Sequence, residues 1–209
     1  MVRATWEGLV SGYTTIIGLC GPAGAGKSTV AKHLVEKYGA FLYGFAQPLK
    51  EMVKRALDFT DEQVYGTQEQ KETVDPRYGH SPRWFLQRIG TEGCRATFGD
   101  DFWTKQTLDS VYRQHPRLAV IDDMRFINEA NAVLDWEQGF VWRLHPPLDT
   151  ESIDRMAAAG KHTSEAQWRD IDASLEFKPE KRSVPELLAL VDKAMEMIPL
   201  RPILEGVQW

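Results

Sequence analysis

The chain is poor in cysteine, has no long apolar run and carries no surplus of positive charge, and each lack excludes a class of protein. Its two thiols, Cys20 and Cys94, stand far apart, with no Cys-x-x-Cys pair and no histidines at zinc-ligand spacing. That argues against a disulfide scaffold or a structural zinc site and predicts two free thiols in a reducing cytoplasm. No stretch of roughly 18 apolar residues, the minimum for a membrane-spanning helix, occurs anywhere. The N-terminal MVRATWEGLVSGYTT has no sustained apolar core before a small-residue cleavage site, so a soluble, unexported, cytoplasmic protein is expected. Lys and Arg number 25 against 30 Asp and Glu, a net charge of −5. Such a chain has no long-range pull on a polyanion, which disfavours a broad nucleic-acid surface and leaves room for a local basic cleft.

Repeats, low-complexity tracts and Pro/Gly-rich linkers are also missing, so 209 residues with 43% hydrophobic content predict one domain with insertions. Apolar periodicity supplies its elements. TTIIGLCG reads as a strand, and after a glycine-rich loop Val30, Leu34 and Tyr38 recur at helical spacing. AFLYGFA reads as a second strand and 47–58 as a helix. Residues 60–80 are polar and punctuated by Gly66, Asp75-Pro76 and Gly79, which predicts an irregular insertion. Ser81-Pro82 opens a helix to about residue 98, and another helix covers 103–112. RLAVIDD is a buried central strand ending in acids, followed by a helix over 128–136 and the strand GFVWRL. A polar excursion over 146–168 suits a lid. The strand ASLEF and an amphipathic helix over 184–198 complete the chain. Strands alternating with helices imply a parallel sheet covered on both faces, with ligands at the strands' carboxyl ends.

One loop sits at such an end. Gly21, Gly26, Lys27 and Ser28 match G-x4-G-K-[ST] between a strand and a helix, the context in which that pattern holds a nucleotide's phosphates. In GPAGAGKST the backbone from Gly21 through Ala23, Gly24, Ala25 and Gly26 can aim its amides at the phosphates. Lys27 would meet the β/γ-phosphates, Ser28 would ligate Mg2+, and Thr29 would add a hydroxyl at the α-phosphate.

What receives the phosphate must be read elsewhere. A switch GTPase needs a base-reading N-K-x-D string, which is absent, and motor ATPases are usually larger, with dedicated arginine fingers. A small-molecule kinase must neutralise donor and acceptor phosphates together and exclude water, so it needs several arginines and a lid. RYGHSPRWFLQRIGTEGCR holds Arg77, Arg83, Arg88 and Arg95 against the single acid Glu92. On a helix Arg83 and Gln87 share one face, and Arg88 and Arg95 another, so Arg83 can clamp a phosphate while Gln87 reads a base edge. A solvated helix with scattered arginines is the plainer reading of that segment. Trp84 and Phe85 are more often core than a stacking platform. In VIDDMRFINEA, Asp122, Asp123 and Arg125 follow a buried strand, where a carboxylate can hold the magnesium ion's water shell or orient an arginine; an ordinary strand-end charge pair is the alternative.

At this point the chain resembles the phage-type deoxynucleoside monophosphate kinases, from GPAGAGKST to SVPELL. The resemblance rests on FAQPLK, RWFLQRIGTE followed by DFW, DDMRFINEA and HTSEA, in that order. It implies an α/β P-loop NTPase fold of the nucleoside monophosphate kinase kind, transfer of the ATP γ-phosphate to a deoxynucleoside 5′-monophosphate, and Mg2+. It further implies that Phe45, Ala46 and Lys50 border the acceptor site, with Arg83, Gln87, Gly90, Thr91 and Trp103 around the acceptor and Asp123 and Arg125 at the strand end. His162, Glu165 and Trp168 would belong to the lid, and Lys178 would lie near the donor's adenine. The loop carries Ala23 and Ala25 where relatives can carry basic residues, so charge would have to come from Arg143, Arg155 or Lys161. His145 stands where the family pattern suggests arginine.

The expectation is therefore a single kinase domain over 1–209, with an acceptor-binding insertion and helix over 59–103 and a lid over 146–168. Lys27, Arg125, Asp123 and Arg83 carry the chemistry, and Arg88 or Arg95 joins Arg83 at the acceptor phosphate. Its partners are ATP and a deoxynucleoside monophosphate, without a membrane; the setting is cytoplasmic, the host's if the gene is phage-borne. Two rival readings are a kinase acting on a hydroxymethylated pyrimidine base in DNA, with Asp123 as base, and a non-catalytic nucleotide-binding module. The apolar tail residues Ile203, Leu204, Val207 and Trp209 suit packing on the domain or on a second copy, so a homodimer is one of two outcomes.

Overall fold

A computed structural model describes residues 14–146, 167–179 and 183–200. The chain divides into two compact units. One runs up to Tyr43 and resumes at Val111; the other is Gly44–Ser110.

The first unit is built on a parallel sheet in the order β2-β3-β1-β4-β5, with β1 Thr15–Cys20, β2 Phe41–Tyr43, β3 Leu118–Ile121, β4 Gly139–Leu144 and β5 Leu175–Phe177. β1 and β3 are buried along their whole length, as their β-branched, apolar sequences require of central strands covered on both faces. Ile17 pairs with Val120 on one side and Phe140 on the other. The second strand is shorter than AFLYGFA suggested and lies at the sheet's edge. From β1 the chain crosses to β2 through α1 (Lys27–Tyr38), and from β3 it crosses the other way through α8 (Ile127–Leu134). Connections to opposite edges put helices on opposite faces, and the strand order reverses about β1, where ligands of open α/β sheets bind.

On one face Ile17, Leu19, Val30, Leu34, Trp142, Leu144 and Phe177 form a core closed by Leu187, Val191 and Met195 of α9 (Val184–Met195). Each such side chain contributes about 1.5–3 kcal/mol by leaving water. α1 is also tied to α9 by polar contacts. Asp192 accepts from Lys37 Nζ at 2.8 Å, His33 Nε2 at 2.7 Å and Tyr38 Oη at 2.8 Å.

The second unit is helical: α2 (Gln47–Leu57), α3 (Asp61–Tyr65), α4 (Gln68–Glu72), α5 (Pro82–Gln87), a π-helical segment Arg88–Arg95, and α6 (Ala96–Phe98). Most of α7 (Phe102–Gln114) belongs to it too. Leu49, Val53, Phe59, Val64 and Trp103 form its core, with Phe85, Leu86 and Ile89 packed on them. The stretch 60–80 is less irregular than its polarity suggested. Thr60 and Gln63 form a capping box on α3, and Thr67 and Gln70 form another on α4, each satisfying two end amides. Beyond them Asp75 bridges to His80. Ser81 caps α5 as its sequence predicts. The following turns then widen to i→i+5 bonding, seen where Ala96 N–H reaches Thr91 O. Among the described residues no helix is long and apolar enough to cross a membrane.

Candidate active site

The loop after β1 takes its shape from two glycines. Gly26 lies at φ +93°, in the left-handed region, and a Cβ there would sit 2.8 Å from Leu187 Cδ2; a Cβ on Gly21 would meet Leu144 O at 2.3 Å. Only a residue without a side chain lets the loop pass this close to β4 and α9. Lys27 folds back across the loop, and its Nζ donates to Gly21 O at 2.6 Å and Pro22 O at 2.9 Å. Ala25 is buried, while Ala23, Gly24, Ser28 and Thr29 are exposed, with both hydroxyls on the first turn of α1. Helix-start amides and an ammonium at one point suit an anion.

Asp122 and Asp123, both half-buried, follow β3, and Arg125 is exposed beyond them. The turn that carries them is held by a residue that the sequence reading passed over. Glu129 is 2% exposed, and its Oε2 accepts from Arg125 N–H at 2.8 Å and Phe126 N–H at 3.1 Å. It is the third residue of α8, where a glutamate reaching back to the helix start was a readable signal; the apolar Phe126 at the cap position hid it.

The carboxyl ends of β4 and β5 carry a compact charge cluster. Arg143 pairs in register with Cys20 and with Glu176. Its guanidinium donates to the Glu176 carboxylate and to Ile171 O. Glu176 also takes Lys178 Nζ at 2.6 Å and lies 3.4 Å from His145 Nε2. Lys178 foremost, with Arg143 and His145, holds the Glu176 carboxyl below its ordinary value. Burial pushes the His145 imidazole down. It also pushes the buried Cys20 thiol up, against the opposing pull of Arg143 and Lys27. Trp168, buried in a short 3-10 turn, meets His145 edge to face at 5.7 Å. Arg143 thus sits beside β1 with its charge engaged by Glu176. His162, Glu165, Arg155 and Lys161 lie outside the described residues, as does the lid apart from Pro146, Gln167 and Trp168.

The acceptor candidates other than those of the lid belong to the second unit, and several are packing residues. Phe45 is buried, and Trp103, 5% exposed, donates its indole N–H to Gly90 O at 3.1 Å. A Cβ on Gly90 would meet Leu49 Cδ2 at 2.5 Å. Ala46 is half-buried, and Lys50 Nζ lies 5.1 Å over the Tyr65 ring. Gln87, Arg88 and Thr91 are exposed and Arg95 is half-buried. Arg83 donates to Gln68 Oε1 at 2.8 Å, and Arg88 pairs with Glu92. Arg77 is bound to Asp75 at 2.8 Å, which with Gln63 holds that carboxyl well below the usual range. The shared face expected of Arg88 and Arg95 rests on α-helical spacing, in which seven residues close nearly two turns; wider π-helical turns do not bring them back to one side. Trp84 is 37% exposed and stacked on His80 with centroids 4.0 Å apart, whereas Phe85 packs on Phe59 and Tyr78.

No protein-family model matches the chain. A protein of Acanthamoeba polyphaga mimivirus, described provisionally as a deoxynucleotide monophosphate kinase, is 32% identical over 200 residues, covering 87% of this chain and 98% of that one. The chain belongs to the deoxynucleotide monophosphate kinase family. Among solved structures, the Thermus thermophilus protein TT1252 matches this family member with a TM-score of 0.50 at 18% identity, over 90% of this chain and 100% of that one. A shikimate kinase from Acinetobacter baumannii gives 0.48 at 14% identity, over 90% and 96%. The fold of this deoxynucleotide monophosphate kinase family member is the α/β P-loop NTPase fold, a five-stranded parallel sheet with helices.

Proposed function

We propose that the protein transfers the γ-phosphate of ATP to a deoxynucleoside 5′-monophosphate, yielding ADP and the deoxynucleoside diphosphate. The observation that carries this reading is the loop Gly21–Thr29, with Lys27 Nζ held at its carbonyls, at the same carboxyl end of the parallel sheet as the Asp123–Arg125 turn of a family member. Phosphoryl transfer needs positioning and charge neutralisation more than covalent help from the protein. The acceptor's phosphate oxygen is already ionised, so it attacks the γ-phosphorus without a general base as the bond to the β-phosphate oxygen breaks.

In this reading the loop amides and Lys27 bind the β/γ-phosphates, Arg125 stabilises charge spreading over the transferred group, and Arg83 with Gln87 orients the acceptor. Lys178 belongs to the donor side. Ser28 Oγ, on the first turn of α1, and the Asp123 carboxylate, just after β3, are hard oxygen donors, the kind Mg2+ takes when phosphates and water complete its shell. They would hold that ion, which supplies further neutralisation of the β/γ-oxygens when bound.

An ADP-release assay with ATP, Mg2+ and each deoxynucleoside monophosphate, 5-modified pyrimidines included, tests the reaction. ADP should form only when a suitable monophosphate is present, and Lys27→Ala should abolish it. Transfer to hydroxymethylated DNA instead would favour the base-kinase reading, and tight ATP binding with no transfer to any acceptor would sink both.

A further inference from the structure

Arg83 and its acidic neighbour Glu72 form a long ion pair without a hydrogen bond between them. Gln68 and Glu72 lie four apart on α4, on one face of that helix, and Gln68 stands between the two charges. Its carbonyl oxygen accepts from Arg83 Nη1 at 2.8 Å, and its amide nitrogen donates to Glu72 Oε1 at 2.5 Å. Glu72 Oε1 is left 3.8 Å from Arg83 Nη1, beyond hydrogen-bond range. A side-chain amide offers an acceptor at one end and donors at the other, which is the polarity this place demands. The arrangement is fixed from both sides: Thr67 and Gln70 cap α4, and Ser81 caps α5 two residues before Arg83.

Resting on the reading of Arg83 as the clamp for the acceptor's phosphate, we propose that Gln68 is a positioning residue that keeps Arg83 available by holding Glu72 off it. An incoming phosphate dianion then displaces a neutral amide from the guanidinium. Without the amide, Glu72 closes from this long ion pair to a hydrogen-bonded one on Arg83 and competes with the substrate.

The test is a cycle of Gln68→Ala, Glu72→Gln and the double variant, with Arg83→Ala as reference, on the full chain with matched melting temperatures. Gln68→Ala should raise KM for the monophosphate about two- to five-fold, the size of an exposed ion pair, with kcat and KM for ATP unchanged. Adding Glu72→Gln should restore KM, and its effect should be larger in the Gln68→Ala background than in the unchanged chain. Equal effects in both backgrounds, or an unmoved KM in Gln68→Ala while Arg83→Ala raises it, would overturn the spacer role. If Arg83→Ala itself leaves KM unchanged, the clamp reading fails first and this inference falls with it.

Discussion

Glu129 is an acid with almost no contact with water, and its surroundings explain why it is tolerated. A buried carboxylate is costly unless its oxygens are satisfied, and Glu129 receives the amides of Arg125 and Phe126. Glu129→Ala leaves those amides unpaired, which should lower stability by about 1–3 kcal/mol. It should also reduce kcat, because the turn carrying Asp123 and Arg125 loses its anchor. Glu129→Gln keeps an acceptor oxygen and should fall between; urea unfolding and turnover, measured side by side, check the order. At Gly26 a methyl group is excluded twice, by the left-handed backbone and by Leu187. Gly26→Ala should therefore cost about 1–2 kcal/mol for the backbone alone and weaken ATP binding measured by calorimetry. The need for glycine there was legible in G-x4-G-K-[ST]; the reason it is Leu187 that presses on the loop was not.

At the scale of elements, α9 is joined to the helix that begins at the phosphate loop through Asp192. Lys37 first, then His33, hold the Asp192 carboxyl well below the usual range, and burial with help from Asp192 pushes the Tyr38 phenol up to about 12. A carboxyl with a depressed folded-state value favours folding while it is ionised. Its contribution is full above the unfolded value near 4 and is lost as the pH falls from there toward the folded value. Melting temperatures from pH 7 to pH 2 should thus fall less steeply in Asp192→Asn than in the unchanged chain; parallel curves would count against the network. Apolar spacing made α1 and α9 readable, but only folding places Asp192 beside a helix more than 150 positions away. Elsewhere the local signals were present and outweighed. The two T-x-x-Q boxes of α3 and α4 were masked by the polarity of 60–80, and the widening at Arg88–Arg95 accompanies a carbonyl, that of Gly90, taken by the Trp103 indole.

For the molecule as a whole, binding of nucleotide to the native state must raise its stability. ATP with Mg2+ at about 100 times its Kd should add about 2.7 kcal/mol, visible as a higher melting temperature, and Lys27→Ala should remove the shift. Sequence alone determined the α/β class, the phosphate loop and the family likeness, because each is written in short-range terms: apolar runs, a strand–loop–helix pattern and ordered motifs. Tertiary structure alone decided the strand order, the division at Gly44 and Ser110, and which charges meet. Glu129 on the backbone amide of Arg125, Glu176 on Arg143 and Gln68 between Arg83 and Glu72 are set by side-chain directions and register, in which a single wider turn or a one-residue shift changes every neighbour.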